Sequence, residues 1–259
     1  MHDRYFPCER IIAVLLLSML ACGCAGKTVS GSGMPPKSLE IISRTMHEAD
    51  RIVATAQIDL MTVQGHYPVR AALILQKPSY LRMEMLPVIG TPDFFLTATP
   101  DDMRIFIPSQ GAFYSGKPSA GNLARFLPWA LNIEDMVMIL SCTYPPLAGK
   151  NVSYASYEEA DLLRVDMKTP MGPSQTVWME KNGRMARLIR HGPDGREIYS
   201  VQYEHYASGS LLAEKITIQW ADNVTSITVR YTDLKVEKAT DLSIFELPVP
   251  VGIKINKLD

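Results

Sequence analysis

The chain has 259 residues, of which 47% are hydrophobic and 20% are charged, and its formal net charge at pH 7 is -1. This length suits one sizeable folded domain or two small ones. Because the net charge is close to zero, the composition excludes the strongly basic balance that is typical of nucleic-acid-binding proteins.

The first element that the sequence predicts is a secretory signal. Arg4 and Arg10 precede the apolar run IIAVLLLSMLA at 11–21, and small residues follow it. The run is too short to cross a hydrocarbon layer of about 30 Å as a helix. Directly after it, CGCAG at 22–26 resembles a bacterial lipobox. The resemblance implies attachment of a lipid such as palmitate at Cys24 or, alternatively, at Cys22. The other interpretation is an ordinary cleaved signal with two incidental cysteines.

Composition divides the chain into three segments. Residues 1–24 form the signal peptide with its lipobox, and residues 25–37, which are rich in Gly, Ser and Pro, form a flexible tether. Residues 38–259 form one folded domain, since the composition does not shift within them. The sequence has only Cys142 in this domain, so an internal disulfide is excluded there and a buried thiol is expected.

Helical patterns occur at the start and in the middle of the domain. Apolar residues at helical spacing predict one amphipathic helix over Ser38–Arg51. Two further short helices are predicted within Ser119–Cys142. Pro128 ends the first of these, and Asn132 caps the second, three residues before Asp135.

Alternating apolar and polar residues predict strands on both sides of the central helices, from residue 54 to 116 and again from 162 to 234. Asn182–Gly183 and Asp222–Asn223 predict hairpin turns. Short turns between such strands are typical of an antiparallel meander of about 10–11 strands. A sheet of this size tends to curl, and three short helices leave room for an apolar cavity on its concave face.

Residues for chemistry are scattered. The segment HEAD at 47–50 lies on a predicted helix and points mostly to water, and no nucleophile motif or phosphate-binding loop is present. We therefore predict no enzymatic activity, no catalytic residue, no metal and no cofactor.

Methionines concentrate on the predicted inward faces of the strands. Methionine is flexible and polarizable, which suits an acyl-chain cavity, although the same side chains also fill gaps in an ordinary core. The methionines on these faces are Met83, Met85, Met103, Met167, Met179 and Met185.

One predicted turn, in EMLPVIGTPDFF at 84–95, is apolar although Pro87 and Gly90 mark it as a turn. It lies within YLRMEMLPVIGTPDFFLTATPDDMRIF, which resembles two strands and a Pro-apolar-Gly turn of the bacterial LolA and LolB lipoprotein-localisation family, with LolB the nearer. NLARFLPWALNIEDMVMIL is similar to the leucine-rich helical region of that family, and TDLKVEKATDLSIFELPVPVGIKI to its ending. The central loop at 141–161 has no counterpart that we can match.

This resemblance implies a mainly β (α+β) fold: a single open antiparallel half-barrel, with one N-terminal and two central short helices covering its concave face. It implies a membrane-insertion loop at Leu86, Val88 and Ile89, unless Ile89 folds back onto the sheet rim. The candidate residues of the acyl-cavity lining are Met83, Met85, Phe95, Met103, Met167 and Trp178, of which Trp178 alternatively faces outward.

The function that the resemblance implies is that of a monomeric, lipid-anchored protein on the periplasmic face of the bacterial outer membrane. Such a protein binds the acyl chains of lipoproteins, receives them from a LolA-like periplasmic carrier and helps to insert them into the membrane. The alternative is a structural envelope lipoprotein that uses the same sheet to dock a protein partner.

Overall fold

The computed structural model describes residues 28–31, 36–44, 50–127, 131–238 and 241–258. The lipidation candidates Cys22 and Cys24 lie outside the described residues, as do most of HEAD and Pro128. In the described part, fifteen strands form one sheet. The first eight are β1 (Thr28–Gly31), β2 (Asp50–Thr62), β3 (Gly65–Gln76), β4 (Tyr80–Leu86), β5 (Phe94–Ala98), β6 (Met103–Ile107), β7 (Ala112–Gly116) and β8 (Ser153–Glu159). The others are β9 (Leu162–Lys168), β10 (Ser174–Glu180), β11 (Met185–His191), β12 (Glu197–Tyr206), β13 (Ala213–Trp220), β14 (Ser226–Lys238) and β15 (Ile255–Lys257).

The sheet consists of two meanders joined side by side. β2 to β7 follow one another, β8 to β14 follow one another, and β14 pairs with β2 to make the junction. β1 adds to β8 at one border, and β15 adds to β7 at the other. Every pairing is antiparallel except that of β15 with β7, which is parallel. The predicted open antiparallel sheet is therefore confirmed.

The described residues contain more strands than the 10–11 predicted, and the additional ones lie at the borders. β1 lies in the segment predicted to be a flexible tether, so the structure differs from that prediction over four residues. β8 lies in the loop that could not be matched, and β15 lies in the tail. Backbone pairing with a neighbouring strand defines these three strands, and their side chains carry little of the apolar alternation that sequence analysis detects.

Three α-helices are described: α1 (Lys37–Arg44), α2 (Ala120–Leu123) and α3 (Ile133–Leu140). α1 is shorter than predicted, and β2 already begins at Asp50, because β-branched residues such as Ile52 and Val53 favour a strand. The predicted cap of α3 is confirmed: Asn132 Oδ1 accepts a hydrogen bond from the Asp135 backbone N–H at 2.6 Å. In the described part of the chain, none of the helices is long and apolar enough to span a membrane.

The main core lies between the concave face of the sheet and the helices. Every second residue of the long strands is buried there, as in β2, where Ala54, Ala56 and Ile58 alternate with more exposed neighbours. α1 contributes Leu39 and Ile42 to this core. Cys142 is buried, as predicted, and its Sγ accepts a hydrogen bond from the Ala213 backbone N–H at 3.1 Å.

Hydroxyl groups of the sheet hold the C-terminal end of α3. The Tyr231 hydroxyl donates to the Leu140 carbonyl at 2.9 Å, and the Tyr203 hydroxyl donates to the Thr143 carbonyl at 3.3 Å. The last carbonyls of a helix lack partners within the helix, so Tyr231 satisfies one of them and fixes the helix end to β14. Tyr203 fixes the segment that follows α3 to β12.

A buried polar cluster fixes the segment that follows α3. Arg190 donates to Gln175 Oε1 at 2.9 Å and to the Pro146 carbonyl at 3.4 Å, and Gln175 in turn donates to the Pro145 carbonyl at 3.2 Å. α3 and its continuation are therefore attached to the half of the sheet that β10 to β14 form.

The C-terminal tail crosses the outer, convex face of the sheet. Arg82 donates to the Ile244 carbonyl at 2.9 Å and Arg104 donates to the Leu247 carbonyl at 3.1 Å. Phe245 packs against Tyr80 with ring centroids 5.3 Å apart. The tail thereby covers β4 to β6 from outside, opposite the helices.

Candidate functional site

Six connections between strands lie at one end of the sheet, which we call the loop end. In an antiparallel meander every second turn lies at the same end. The connections at the loop end are 63–64, 87–93, 108–111, 169–173, 192–196 and 221–225. The five connections at the opposite end are 77–79, 99–102, 160–161, 181–184 and 207–212.

The segment 87–93, which joins β4 to β5 and which we call the apolar loop, projects from the loop end. Val88 is 95% exposed and Ile89 is 91% exposed, so Ile89 does not fold back onto the rim of the sheet. Gly90 has a φ of 101°, a conformation that glycine adopts at little cost. Leu86, at the end of β4, is half-buried. The loop thus displays two apolar side chains to solvent.

The base of the apolar loop is held in place by Asp93. Its carboxylate accepts hydrogen bonds from the Ser109 backbone N–H at 2.6 Å and from the Ser109 hydroxyl at 2.5 Å. These bonds lower the pKa of Asp93 below its ordinary value and tie the loop to the 3-10 turn Pro108–Gln110.

An open pocket of about 680 Å³ lies beneath the apolar loop. β4 ends at Leu86, which pairs with Arg70 of β3. β3 and its partner β2 continue beyond this pair toward the loop end. The pocket occupies the space beside this extension. Its apolar lining includes Val69, Met85, Leu86, Val88 and Phe94, and its polar lining includes Gln57, Asp59, Arg70 and Asp93. Gln57, Asp59 and Arg70 project from the convex face of the sheet, since they alternate with the inward Ile58 and Val69.

Two smaller voids lie in the core. The first has about 110 Å³, lies under Phe126 and Leu127, and shares Val69 and Met85 with the open pocket. The second has about 20 Å³, lies under α3, and shares Ile58 and Met83 with the first. The three spaces are therefore adjoining compartments in the sense that neighbouring ones share lining residues.

The concave hollow is largely filled, which corrects the prediction of a large cavity between sheet and helices. Ligand pockets usually measure about 300–1,000 Å³, and both inner voids are smaller than this range. Side chains of the central helical segment take up the space: Phe126 and Leu127 cover the first void, and Met136 and Leu140 cover the second. Of these three spaces among the described residues, the open pocket alone has the volume of a ligand site.

The predicted lining residues separate into three groups. Met83 and Met85 line the voids. Met103 and Met167 are buried in the same core but line none of the three spaces. Phe95 and Trp178 project from the opposite face of the sheet, which corrects their assignment to the lining.

The register of the sheet explains both corrections. Phe94 pairs with Met85 and shares its face, so Phe95 faces outward and stacks against Phe106 with centroids 6.2 Å apart. Trp178 lies between the buried Val177 and Met179. Its indole N–H donates to Glu159 at 2.9 Å on the convex face.

Sequence analysis missed several lining residues, among them Phe94, Val69 and Phe126. In the structure, Phe94 lies on the same face of β5 as Leu96 and Ala98, which are buried. Val69 and Phe126 meet only in three dimensions, since one belongs to β3 and the other follows α2.

Titratable groups near α3 are buried but do not form a catalytic arrangement. Burial raises the pKa of Asp135, and the Tyr199 hydroxyl lies 3.5 Å from its carboxylate. Among the described residues, no cluster of three or more His, Cys, Asp or Glu side chains has the arrangement of a metal site.

Solved structures of other proteins share this architecture, an open curled sheet with helices in its hollow. Among solved structures, the chain is similar to a LolA superfamily protein from Nitrosomonas europaea, with a TM-score of 0.57, 14% identity and coverage of 84% of this chain and 99% of that one. It is also similar to an outer membrane lipoprotein-sorting protein domain from Vibrio parahaemolyticus, with a TM-score of 0.55, 14% identity and coverage of 81% and 96%.

A third similar structure is a DUF1329 family protein from Desulfovibrio piger, with a TM-score of 0.57, 10% identity and coverage of 81% and 96%. At these identities the likeness shows a common fold. The expected resemblance to this superfamily is therefore confirmed at the level of architecture. No protein-family model and no curated protein matched the chain.

Proposed function

We propose that this protein is a lipid-anchored, LolB-like acceptor that binds the acyl chains of lipoproteins and helps to insert them into the bacterial outer membrane. The observation that carries the proposal is the apolar loop, with Ile89 and Val88 exposed directly above an open apolar pocket. The proposed anchor is a lipid on Cys24 or Cys22, the proposed donor of cargo is a LolA-like periplasmic carrier, and the proposed acting form is a monomer.

The proposed route of the acyl chain follows the adjoining compartments. The chain enters the open pocket beneath the apolar loop and passes Val69 and Met85, which belong to both the pocket and the first void. It then displaces Phe126 and Leu127, the side chains that cover that void. No covalent bond changes in this process, and the greater burial of apolar surface at the final membrane site supplies the driving force for transfer.

Ile89 provides the contact with the membrane in this proposal. Full burial of an isoleucine side chain in hydrocarbon is worth roughly 1.5–3 kcal/mol. While Ile89 is exposed to water, this free energy of burial is not gained, so it favours contact of the loop with the membrane. The polar atoms at the base of the loop are already paired through Asp93 and Ser109, so the loop enters the membrane without losing those bonds.

The experiment is lipoprotein delivery in a strain depleted of the wild-type protein, complemented with Ile89→Glu. We expect lipoproteins to be retained on their carrier, because a carboxylate opposes insertion into hydrocarbon. The control is Val236→Glu, which places the same charge on another exposed aliphatic position, in β14 near the opposite end of the sheet. Delivery by Ile89→Glu equal to that of the control would reject the role of the loop.

A structural envelope lipoprotein that docks a protein partner is the second candidate, and the filled hollow favours it. Two inner voids of about 110 and 20 Å³ leave little room for cargo unless the helical segment moves. Native mass spectrometry of protein purified from cells separates the candidates. Co-purified acylated peptides that Val69→Trp removes support the carrier, because tryptophan obstructs the step between pocket and void. A protein subunit retained by both forms supports the scaffold.

A further inference from the structure

The apolar loop is one of three neighbouring turns at the loop end that carry an exposed aliphatic side chain. The order of strands across the sheet is β13, β14, β2, β3, β4, β5, so the three turns that join these pairs lie next to one another. The β13–β14 turn carries Val224, 47% exposed, and the β2–β3 turn carries Val63, 77% exposed. We call Val63, Val88, Ile89 and Val224 the apolar rim.

The apolar rim has a defined width. Neighbouring strands are about 4.8 Å apart, so adjacent hairpin turns are about 10 Å apart, and the rim extends over about 20 Å along the end of the sheet. Further along the same end, the β9–β10 turn carries Met171, which is 96% exposed.

The opposite end of the sheet has no such residues. Of the large hydrophobic side chains that are exposed in the described part of the chain, none lies in the turns 77–79, 99–102, 160–161, 181–184 and 207–212. Turns at both ends reverse the chain in the same way, so the requirements of turn formation do not explain why exposed hydrophobic side chains occur in the turns of the loop end alone. A ligand or surface that contacts the loop end does account for it.

We propose that the whole apolar rim rests on a lipid bilayer, with Val63 and Val224 inserting beside the apolar loop. The tips are single side chains separated by polar neighbours such as Gln64 and Asn223. A protein interface needs a continuous, closely packed patch at its centre, whereas lipid headgroups and acyl chains rearrange around separate tips. This surface extends the proposed function from one loop to three turns, but it does not depend on the transfer of acyl chains.

Several backbone donors of the two added turns are hydrogen-bonded within the turns. The Asp222 carboxylate accepts hydrogen bonds from the backbone N–H groups of Val224 at 2.9 Å and of Thr225 at 2.8 Å. In the β2–β3 turn, the Gln64 backbone N–H donates to the Thr62 hydroxyl at 3.1 Å. Backbone donors that lose water without a replacement are costly, so these bonds ease the approach of both turns to a membrane.

The test is photo-crosslinking of the full chain in vesicles of phosphatidylethanolamine and phosphatidylglycerol. The photoreactive amino acid p-benzoylphenylalanine replaces Val63, Val224 or, as the control, Val236, one position in each variant. Val236 lies on β14, the strand that the Val224 turn opens, is 48% exposed and is near the opposite end of the sheet. Residue type, exposure and strand are thus matched, and circular dichroism verifies that each variant is folded.

We expect illumination to increase the mass of the position 63 and 224 variants by one phospholipid and to leave the position 236 variant without that adduct. Equal phospholipid adducts at all three positions, or none at 63 and 224, would overturn the proposal. Adducts with a protein in place of lipid would also overturn it. Failure of the proposed function is a separate result: if Ile89→Glu delivers lipoproteins normally while positions 63 and 224 still capture phospholipid, only the role of the apolar loop in delivery is rejected.

Discussion

Truncation of Leu127 tests whether the first inner void belongs to an acyl-chain route. Leu127 is 2% exposed and forms part of the cover of the void of about 110 Å³. Leu127→Ala removes three carbon atoms, which at about 0.8 kcal/mol each amounts to about 2.4 kcal/mol of transfer free energy. The new space joins an existing void and is not closed by collapse, so a cavity term brings the expected loss of unfolding free energy to about 3–4 kcal/mol.

Two measurements on the same variant check this reasoning. Urea unfolding with linear extrapolation gives the loss of unfolding free energy. Titration with a fluorescent fatty acid gives the affinity for an acyl chain, which we expect to rise about fifteenfold, because space for roughly two further CH₂ groups is worth about 1.6 kcal/mol. The control is Leu212→Ala, since Leu212 is also a buried leucine of the core but lines none of the three spaces.

The two readouts separate packing from function. Leu212→Ala is expected to destabilise the protein by a similar amount and to leave fatty-acid affinity unchanged. If Leu127→Ala and Leu212→Ala bind the probe equally, the void under Leu127 is a packing defect and the proposed route is wrong. A loss below about 1 kcal/mol for Leu127→Ala, which is under the usual range for a buried leucine, would show that this segment does not seal the hollow.

Two further predictions concern the attachment of α3. Arg190→Met is expected to lower the unfolding free energy by about 3 kcal/mol in urea, because it leaves Gln175 and the Pro146 carbonyl without their buried donor. The control Arg187→Met, at an exposed position on the same strand, is expected to lower it by less than about 1 kcal/mol. Equal losses would contradict the buried role of Arg190. Burial raises the pKa of Asp135, so the folded protein holds this proton more tightly than the unfolded chain, and unfolding free energy falls as pH rises from about 3.9 through the raised folded pKa. Asp135→Asn is expected to remove this fall in urea titrations across the window, and an unchanged pH profile would contradict it.

Much of the fold could be predicted because the burial of side chains repeats along the sequence. Period-two alternation identified most strands, and Asn132 identified the start of α3. The edge strand β1 and its neighbour β8 escaped because backbone pairing defines them, here of Thr28–Gly31 with Tyr154–Tyr157, and side-chain alternation does not report such pairing.

The candidate site could be predicted only in part. The apolar loop was identifiable, since apolar residues in a turn oppose the usual turn chemistry. The choice between Phe94 and Phe95 required the register of β5 against β4, and two consecutive phenylalanines leave that register undefined in the sequence. The filling of the hollow by Phe126 and Leu127 depends on where the central segment packs, which strand periodicity does not determine.

The way in which the central segment is attached fits the proposed entry of an acyl chain. α3 is fixed to the sheet at its C-terminal end by Tyr231, and its continuation is fixed by Arg190 and Gln175. α2 is a single turn of four residues, and the side chains that follow it cover the first void. If Phe126 and Leu127 leave the void as an acyl chain enters, one set of apolar contacts replaces another. The buried apolar area then changes little, so the exchange is nearly balanced in free energy and the final membrane site determines its direction.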